Sequence, residues 1–411
     1  MKPKPTTTRN KKAMLALVFF IMLMDVIGMC LFIPIAPYIV GRFTPEVIMI
    51  MMLNVIFSAA QFIAAPILGK LSDRFGRRPV LLLSLAGSAA GYVVFGFAGS
   101  LAVLFFSRII SGLAGGNMST ASAVIADVSE PHERAKNFTL VGMAWGIGLV
   151  AGPALGSALG AWSLNAPAFL AAALMALSFA AAFFLLPETL QEDHRDTSRF
   201  AISTLNPIGP IGKMLAKPLT GWLLIVMAIF NLAGSGVNNV GPTYLIRRFA
   251  GEQWQVGLLT VLVGVATALV QILLVPMFVP KVGERKVAAA SLAGLALCCV
   301  AIFLSPYAIV FFALYVLMSG INGLIYPSMT TLITGSVEGR EMGSLMGVMT
   351  ALGSLMNIFG PLWAGFTFDH WSPQSPFIIS ATLFAAAFGL FVYRKFQTKH
   401  APSGGMGAGN G

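Results

Sequence analysis

The chain has 411 residues, of which 57% are hydrophobic and only 10% are charged. Soluble domains carry roughly 25% charged residues, so this composition excludes an ordinary soluble protein of two or three domains. The apolar residues form unbroken runs, and a helix that crosses a bilayer needs roughly 20 of them. Because the strands of a membrane barrel alternate apolar and polar residues, unbroken runs predict helices instead.

The apolar runs predict an all-α integral membrane protein with twelve transmembrane helices. In chain order the predicted spans are residues 13–40, 46–69, 79–99, 101–127, 135–160, 164–186, 218–246, 253–280, 286–304, 307–335, 341–368 and 373–393. The sequence predicts no metal and no cofactor. It contains no phosphate-binding or nucleophile motif, and its His, Cys, Asp and Glu residues do not have the spacing of metal ligands.

The net charge of +11 is distributed unevenly along the chain. With the N-terminus placed in the cytoplasm, only Arg42, Arg247 and Arg248 of the 26 Lys and Arg residues fall in outer loops, and Arg108 lies within a span. Membrane proteins keep an excess of Lys and Arg on the cytoplasmic side. This bias predicts that both termini are cytoplasmic, and it explains the basic charge without any binding of nucleic acid.

The first span carries a carboxylate, Asp25, about 18 Å from its predicted start and close to the midplane of a bilayer. A charge at this depth costs roughly 3 kcal/mol on insertion scales, so such residues usually have a function. Burial there disfavours the charged form of a carboxylate and favours proton binding near neutral pH. Asp25 is therefore the predicted proton carrier, and the alternative is a buried structural hydrogen-bonding group.

The stretch GKLSDRFGRRPV, residues 69–80, joins the second and third spans and concentrates charge between two apolar runs. Gly76 permits a tight turn, and Pro79 can stand in the first turn of the third span. The pattern G-x-L-x-D-R-x-G-R-R-P resembles the cytoplasmic signature of the major facilitator superfamily. That resemblance implies two pseudo-symmetric six-helix bundles and a charged latch that closes the cytoplasmic side. The implied latch residues are Gly69, Asp73, Arg74, Gly76, Arg77, Arg78 and Asp127.

By the same resemblance, Asp73 would face the positive end of the eleventh span near Gly343, where the helix dipole favours a carboxylate. Arg77 would pair with Asp127 at the inner end of the fourth span. These contacts are expected in the outward-open state. The positive-inside rule by itself explains some of the positive charge of the loop, because Lys and Arg keep a loop on the cytoplasmic side.

The fourth span contains LFFSRIISGLAGG, in which Arg108 precedes a glycine-rich turn. This resembles a further signature of the superfamily, although Ser111 stands where Gln is usual. Arg108 lies roughly 10 Å from the outer end and could snorkel outward. If it turns inward instead, it would favour the charged form of Asp25 and help to expel the proton.

The fifth span reads GIGLVAGPALGSALG from Gly146 to Gly160. Small residues four apart let helices approach closely, and a proline can bend the span. The pattern G-x-x-x-G-P-x-x-G resembles the antiporter signature of drug/proton exporters. Ordinary tight packing is the alternative reading. The residues of this motif are Gly148, Gly152, Pro153 and Gly156.

The polar, Pro- and Gly-containing segment 187–217 separates two halves of six spans each. Landmarks recur at nearly one offset: Ser111–Gly115 matches Ser319–Gly323, and Gly152-Pro153 matches Gly360-Pro361. Duplicated halves are a known transporter plan with the substrate site at their interface. The predicted organisation is a bundle at 1–186, a linker at 187–217, a bundle at 218–393 and a flexible tail at 394–411.

Polar and aromatic side chains within the spans are candidates for a substrate cavity, and many of them could instead join helices to one another. The candidates are Asn54, Gln61, Asn117, Trp145, Asn231, Asn238, Asn239, Tyr244, Gln271, Asn322, Tyr326 and Asn357.

Within the superfamily, SDRFGRRPVLLLSL and SAVIADVSEPHERAK resemble the tetracycline-exporter group of twelve-span drug/proton antiporters. The resemblance implies proton-coupled efflux of small amphipathic compounds by a monomer, with protons and the bilayer as the other partners and no enzyme activity. One departure concerns the third span: Gly91 precedes Tyr92 where tetracycline exporters have a carboxylate, so another substrate is favoured. The alternatives are proton-coupled transport of a specific metabolite by the same fold, and a non-transporting receptor or scaffold.

Overall fold

The fold is that of a computed structural model in which residues 8–130, 132–190, 208–337 and 341–393 are described. In the described part of the chain, 12 helical segments are long and apolar enough to cross a membrane. In the first half the helices are Thr8–Cys30, Ala36–Val40, Val47–Phe75, Arg77–Gly96, Leu101–Leu113, Asn117–Val128, Arg134–Trp162 and Ala166–Leu185. In the second half they are Ile208–Leu215, Pro218–Phe249, Gln253–Leu269, Val270–Leu274, Val275–Val282, Glu284–Leu304, Ala308–Thr334, Met342–His370 and Ser375–Tyr393.

Most of the predicted linker and the whole predicted tail lie outside the described residues. The end of the bundle that holds the beginning of the first span is called the inner end below, and the opposite end is called the outer end.

Three of the predicted spans are interrupted. The first helix ends at Cys30, and turns lead to the short helix Ala36–Val40, so the prediction of one run to residue 40 is wrong. Pro34 lies in these turns and has no backbone N–H to donate to a helix. The fourth span breaks into two helices at residues 114–116, where two adjacent glycines weaken the helix.

The eighth span contains a π-helical turn, Val270–Leu274, just before Pro276. A proline in a helix clashes with the carbonyl four residues earlier, and a wider turn relieves that clash. The loop predicted at residues 69–80 is also corrected, because the second helix continues to Phe75. Only Gly76 separates it from the third span, with φ +107°, a conformation that favours glycine.

The two halves have equivalent packing. Within the first half the first span packs on the fifth and the third on the sixth; within the second half the seventh packs on the eleventh and the ninth on the twelfth. The second span packs on the eleventh, and the fifth packs on the eighth, across the boundary between the halves. A shift of six spans converts one of these crossing pairs into the other. The protein therefore has two pseudo-symmetric bundles that enclose a central space.

Candidate functional site

A two-lobed cavity lies between the halves. The lobe on the side of the first half has a volume of ≈ 480 Å³, and the lobe on the side of the second half has a volume of ≈ 390 Å³. We call them the first lobe and the second lobe. They meet at walls that they share, formed by Ile33, Asn238, Pro242 and Asn357.

Ten of the twelve predicted cavity residues line one or both lobes: Asn54, Gln61, Trp145, Asn231, Asn238, Asn239, Gln271, Asn322, Tyr326 and Asn357. The structure corrects the other two. Tyr244 is completely buried among Phe249, Phe311 and Phe377, where aromatic packing holds it. Asn117 is buried inside the first half, where it binds a carboxylate.

The outer ends of the halves are joined by hydrogen bonds. The carboxylate of Asp369 accepts from the backbone N–H of Val47 at 3.0 Å and of Ile48 at 2.8 Å. Three further bonds are Tyr38 Oη to Gly251 O, Arg247 Nη2 to Pro45 O, and Ser157 Oγ to Gln253 O. Deeper in the membrane, Asn54 donates to Asn239 at 2.6 Å. Together these contacts close the outer side of the cavity.

The cavity continues toward the inner end. Gly142 and Gly146 lie on the same face of the fifth span as Leu149 and Pro153, which line the second lobe. Within the described residues, no other part of the protein lies within 4 Å of a Cβ built at either glycine. The same is true of Gly353, one turn from Asn357 in the eleventh span. Among the described residues the arrangement is therefore closed at the outer end and open at the inner end.

Asp25 is half-buried on the first span and accepts a hydrogen bond from Asn117 Nδ2 at 2.9 Å. The same Asn117 nitrogen lies 3.2 Å from Ser88 Oγ of the third span. Asn117 is the first residue of the second helix of the fourth span, directly after the glycine break. The predicted proton carrier is thus connected to the irregular part of the fourth span.

Arg108 points into the protein rather than outward. It is 7% exposed and forms part of the wall of the first lobe. Its guanidinium carbon lies 4.5 Å from the ring centre of Phe32, 4.4 Å from that of Phe95 and 5.7 Å from that of Tyr92. Among the described residues no hydrogen bond or ion pair joins Arg108 to Asp25, whose carboxylate binds Asn117 instead, so the structure does not pair the two predicted coupling residues.

Three of the predicted latch residues, Asp73, Arg77 and Asp127, form a network at the inner end of the first half. Arg77 Nε lies 3.0 Å from Asp127, and Arg77 Nη1 lies 2.5 Å from Asp73. The expected pair between Arg77 and Asp127 is present, whereas Asp73 is held by Arg77 of its own segment. The approach of Asp73 to the eleventh span near Gly343 remains a prediction for the opposite, inner-closed state.

Glu188, which the sequence analysis did not identify, completes this network. It follows the sixth span, and its carboxylate accepts from the backbone N–H of Arg77 at 2.8 Å and of Arg78 at 3.2 Å. These are unpaired donors at the start of the third span, where a helix favours negative charge. The local sequence gives no signal of a contact between residues more than a hundred positions apart. An acidic residue directly after an apolar run, as at Glu188, is a weak signal that it has a role.

Two other ion pairs lie at the inner end, each within one half. Lys11 lies 2.6 Å from Glu130, and this ammonium lowers the pKa of the exposed Glu130 carboxyl. In the second half, Lys217 pairs with Glu341, which precedes the eleventh span. Glu341 therefore already supplies a carboxylate at the helix end that Asp73 is predicted to approach.

The glycines of the fifth-span motif face the first span. A Cβ at Gly148 would lie 2.4 Å from Val26 Cγ1, and one at Gly152 would lie 2.5 Å from Cys30 Cβ. At Gly156 it would lie 2.2 Å from the carbonyl oxygen of Leu31. Real Cβ atoms essentially never come this close, so only glycine permits this approach of the two helices.

Two pseudo-symmetric bundles around a polar cavity that lies between them define a membrane transporter. The sequence model of the Major Facilitator Superfamily matches residues 15–272 and 249–408. The chain therefore belongs to the Major Facilitator Superfamily and is a multi-pass membrane transporter rather than an enzyme.

Among its relatives, the class C tetracycline resistance protein of Escherichia coli is 32% identical over 75% of this chain and 76% of its own length. The human organic anion transporter MFSD10 (TETRAN) has a solved structure with a TM-score of 0.70, 23% identity, and coverage of 93% of this chain and 99% of that one. A bacterial homologue of the human lysosomal transporter Spinster gives a TM-score of 0.74 at 15% identity, with coverage of 94% and 97%.

Proposed function

We propose that the protein exports small amphipathic compounds across the bacterial inner membrane in exchange for protons, with both termini in the cytoplasm. Its partners are then the substrate, protons and the lipid bilayer, and one chain suffices because the whole cavity is built from a single copy. The names of the tetracycline resistance relatives support export as the direction of transport.

One observation carries the proposal: the fifth-span motif packs directly on the helix that bears Asp25. Gly148 contacts Val26, the residue next to Asp25, and Gly152 and Gly156 continue the same contact toward the outer end. Because these contacts leave no room for side chains, the two helices move as a unit. A change in proton occupancy at Asp25 is then coupled to movement of the fifth span, whose other face lines the second lobe.

Asp25 suits a proton carrier because its environment changes with the conformation. In the inner-open state it binds Asn117, at the junction between the two helices of the fourth span. A carboxylate with few polar partners in a membrane binds protons more readily than one in water. Rearrangement at the break in the fourth span alters the Asn117 contact, and this alters the preference of Asp25 for its proton.

Tetracycline itself is not the proposed substrate. A Cβ at Gly91 would lie 2.2 Å from Ser111 Oγ and 3.0 Å from Ser111 N, because the third and fourth spans touch at this point. A carboxylate side chain at residue 91, where tetracycline exporters have one, would collide with Ser111 unless the third and fourth spans moved. The Ser at position 111, in place of the usual Gln, belongs to the same tight contact.

The test compares cells with and without the protein. We expect cells that produce it to be less susceptible to a panel of amphipathic drugs and to export a fluorescent dye faster. A protonophore should abolish this difference. If dye export continues after the proton gradient has collapsed, proton coupling is wrong; if gradient-dependent uptake replaces export, the direction is wrong and metabolite symport becomes the better reading.

A further inference from the structure

Arg108 has a buried positive charge that the protein leaves without a hydrogen-bonded counter-charge. Its Nε and Nη2 atoms are buried and have no hydrogen-bond partner among the described residues. The aromatic rings of Phe32, Tyr92 and Phe95 attract the cation, but they accept no strong hydrogen bonds. A buried charged donor without an acceptor is costly, so such a group is expected to gain strongly from an anion.

The carboxylate most relevant to Arg108 is committed elsewhere. Asp25 accepts a hydrogen bond from Asn117, and among the described residues no hydrogen bond or ion pair joins it to Arg108. Residue 91 of the third span, which contacts Ser111, is a glycine and supplies no acidic side chain there. Among the described residues that line the first lobe, Arg108 is the one charged side chain.

The rest of the first lobe suits an apolar body attached to a negatively charged group. Phe57, Phe95 and Trp145 contribute aromatic surface to its wall. Gln61 uses its amide N–H₂ to bind Gly115 O at 3.1 Å, which fixes the orientation of this side chain beside the lobe. The volume of ≈ 480 Å³ is within the range of cavities that hold small organic ligands.

We propose that the first lobe binds the anionic group of an amphipathic organic anion, a carboxylate in the simplest case, through the guanidinium of Arg108. The planar guanidinium donates to the carboxylate oxygens in a charge-assisted pair, and the aromatic walls contact the apolar body. This inference rests on the proposed export function, because it names the substrate class for the same cavity.

Binding to the purified full-length protein in lipid nanodiscs tests the site without any proton gradient. The probes are matched pairs of a carboxylate and its neutral amide: benzoate with benzamide, 2-naphthoate with 2-naphthamide, and pyrenebutyrate with pyrenebutyramide. We expect the wild-type protein to bind at least one carboxylate at least tenfold more tightly than its amide. No preference in any pair, including no binding at all, overturns the proposal.

Substitutions test whether Arg108 causes the preference for a carboxylate over its amide. Arg108→Gln should reduce carboxylate binding at least tenfold and leave amide binding unchanged, and Arg108→Lys should restore part of the loss because it keeps the charge. Arg42→Gln, which removes an exposed guanidinium at the outer end, is the matched control and should change neither. If Arg108→Gln does not fold, Arg108→Lys must still reduce the wild-type preference. A preference that Arg108→Lys leaves intact contradicts the assignment.

Failure of the site and failure of the export function can be told apart. If the protein prefers carboxylates but shows no gradient-driven export, the binding site is supported and the proposed function is wrong. If the protein exports only neutral or cationic compounds with the gradient and shows no carboxylate preference, the proposed function is supported and the binding site is wrong.

Discussion

The carboxylate of Asp369, at the end of the eleventh span, accepts a hydrogen bond from the backbone N–H of Ile48 in the second span at 2.8 Å. This bond joins the two halves, and it caps the start of the second span, where negative charge is favourable. This hydrogen bond holds the outer side closed only in the state in which the outer ends of the two halves are in contact. Asp369 is thus placed to stabilise one of the two states of the transporter.

We expect Asp369→Ala to shift the population toward the outer-open state by about tenfold, because hydrogen bonds to a charged group contribute about 1.5–3 kcal/mol. Spin labels at Phe43 and Trp254 report the outer distance, and labels at Phe75 and Val282 report the inner one, in a chain whose three native cysteines are replaced by serine. The outer distance should lengthen and the inner distance should shorten. Glu46→Ala removes another carboxylate at this end and should change neither; equal effects would refute a specific role for Asp369.

We expect Asp73→Asn to reduce transport strongly while the protein still inserts into the membrane. In the inner-open state Asp73 needs only Arg77, but the inner-closed state is predicted to need its charge at the start of the eleventh span. The inner-end spin labels should therefore show a longer mean distance. Glu130→Gln, which breaks the surface pair with Lys11, is the control. Normal transport with unchanged distances in Asp73→Asn would mean that the charges of the loop only fix its cytoplasmic orientation and do not form a latch.

Glu188→Ala should destabilise the inner end of the third span by about 1 kcal/mol, the usual effect of losing a helix cap. Its carboxylate binds the first two N–H groups of that helix and approaches Gly76. Hydrogen exchange of the Arg77 and Arg78 amides should accelerate. Glu133→Ala is the matched control, since Glu133 precedes the fifth span without any capping bond from its side chain. Similar acceleration in both variants would rule out the cap.

Gly156→Ala should destabilise the protein in detergent by about 1–3 kcal/mol, the usual effect of overpacking. The added methyl would meet the backbone of Leu31 at 2.2 Å, which the backbone cannot avoid without moving a helix. Gly142→Ala, on the same span with open space around its Cβ position, should be neutral or slightly stabilising. Thermal unfolding measures both. Equal melting temperatures for the two variants would show that the contact with the first span is loose.

Asp25→Asn should abolish uphill export and preserve substrate binding or downhill exchange, because the amide cannot carry a proton. The measurement is proton release on addition of substrate to the detergent-solubilised protein. Wild type should release protons, Asp25→Asn should not, and Glu46→Gln should behave as wild type. Equal release from wild type and Asp25→Asn would place the proton elsewhere, with Asp127 the next residue to test.

The sequence by itself determined the class of fold, because the length and composition of apolar runs decide whether helices can span a bilayer. It also indicated Asp25, because a charge within an apolar run is visible without any partner. The ten predicted side chains that line the cavity could be chosen as polar or aromatic groups within spans. Gly76 could be chosen because a turn with positive φ favours glycine.

Only the tertiary structure decided which groups meet. Asn117 and Tyr244 have the same polarity as cavity residues, but packing turns Asn117 toward Asp25 and encloses Tyr244 in aromatic rings. Glu188 and Asp369 contact helix ends that are distant in sequence. Arg108 packs among the rings of Phe32, Tyr92 and Phe95 rather than pairing with Asp25, and Phe32 belongs to the turns that follow the end of the first helix at Cys30. Such contacts depend on how helices cross in space, which local hydrophobicity does not specify.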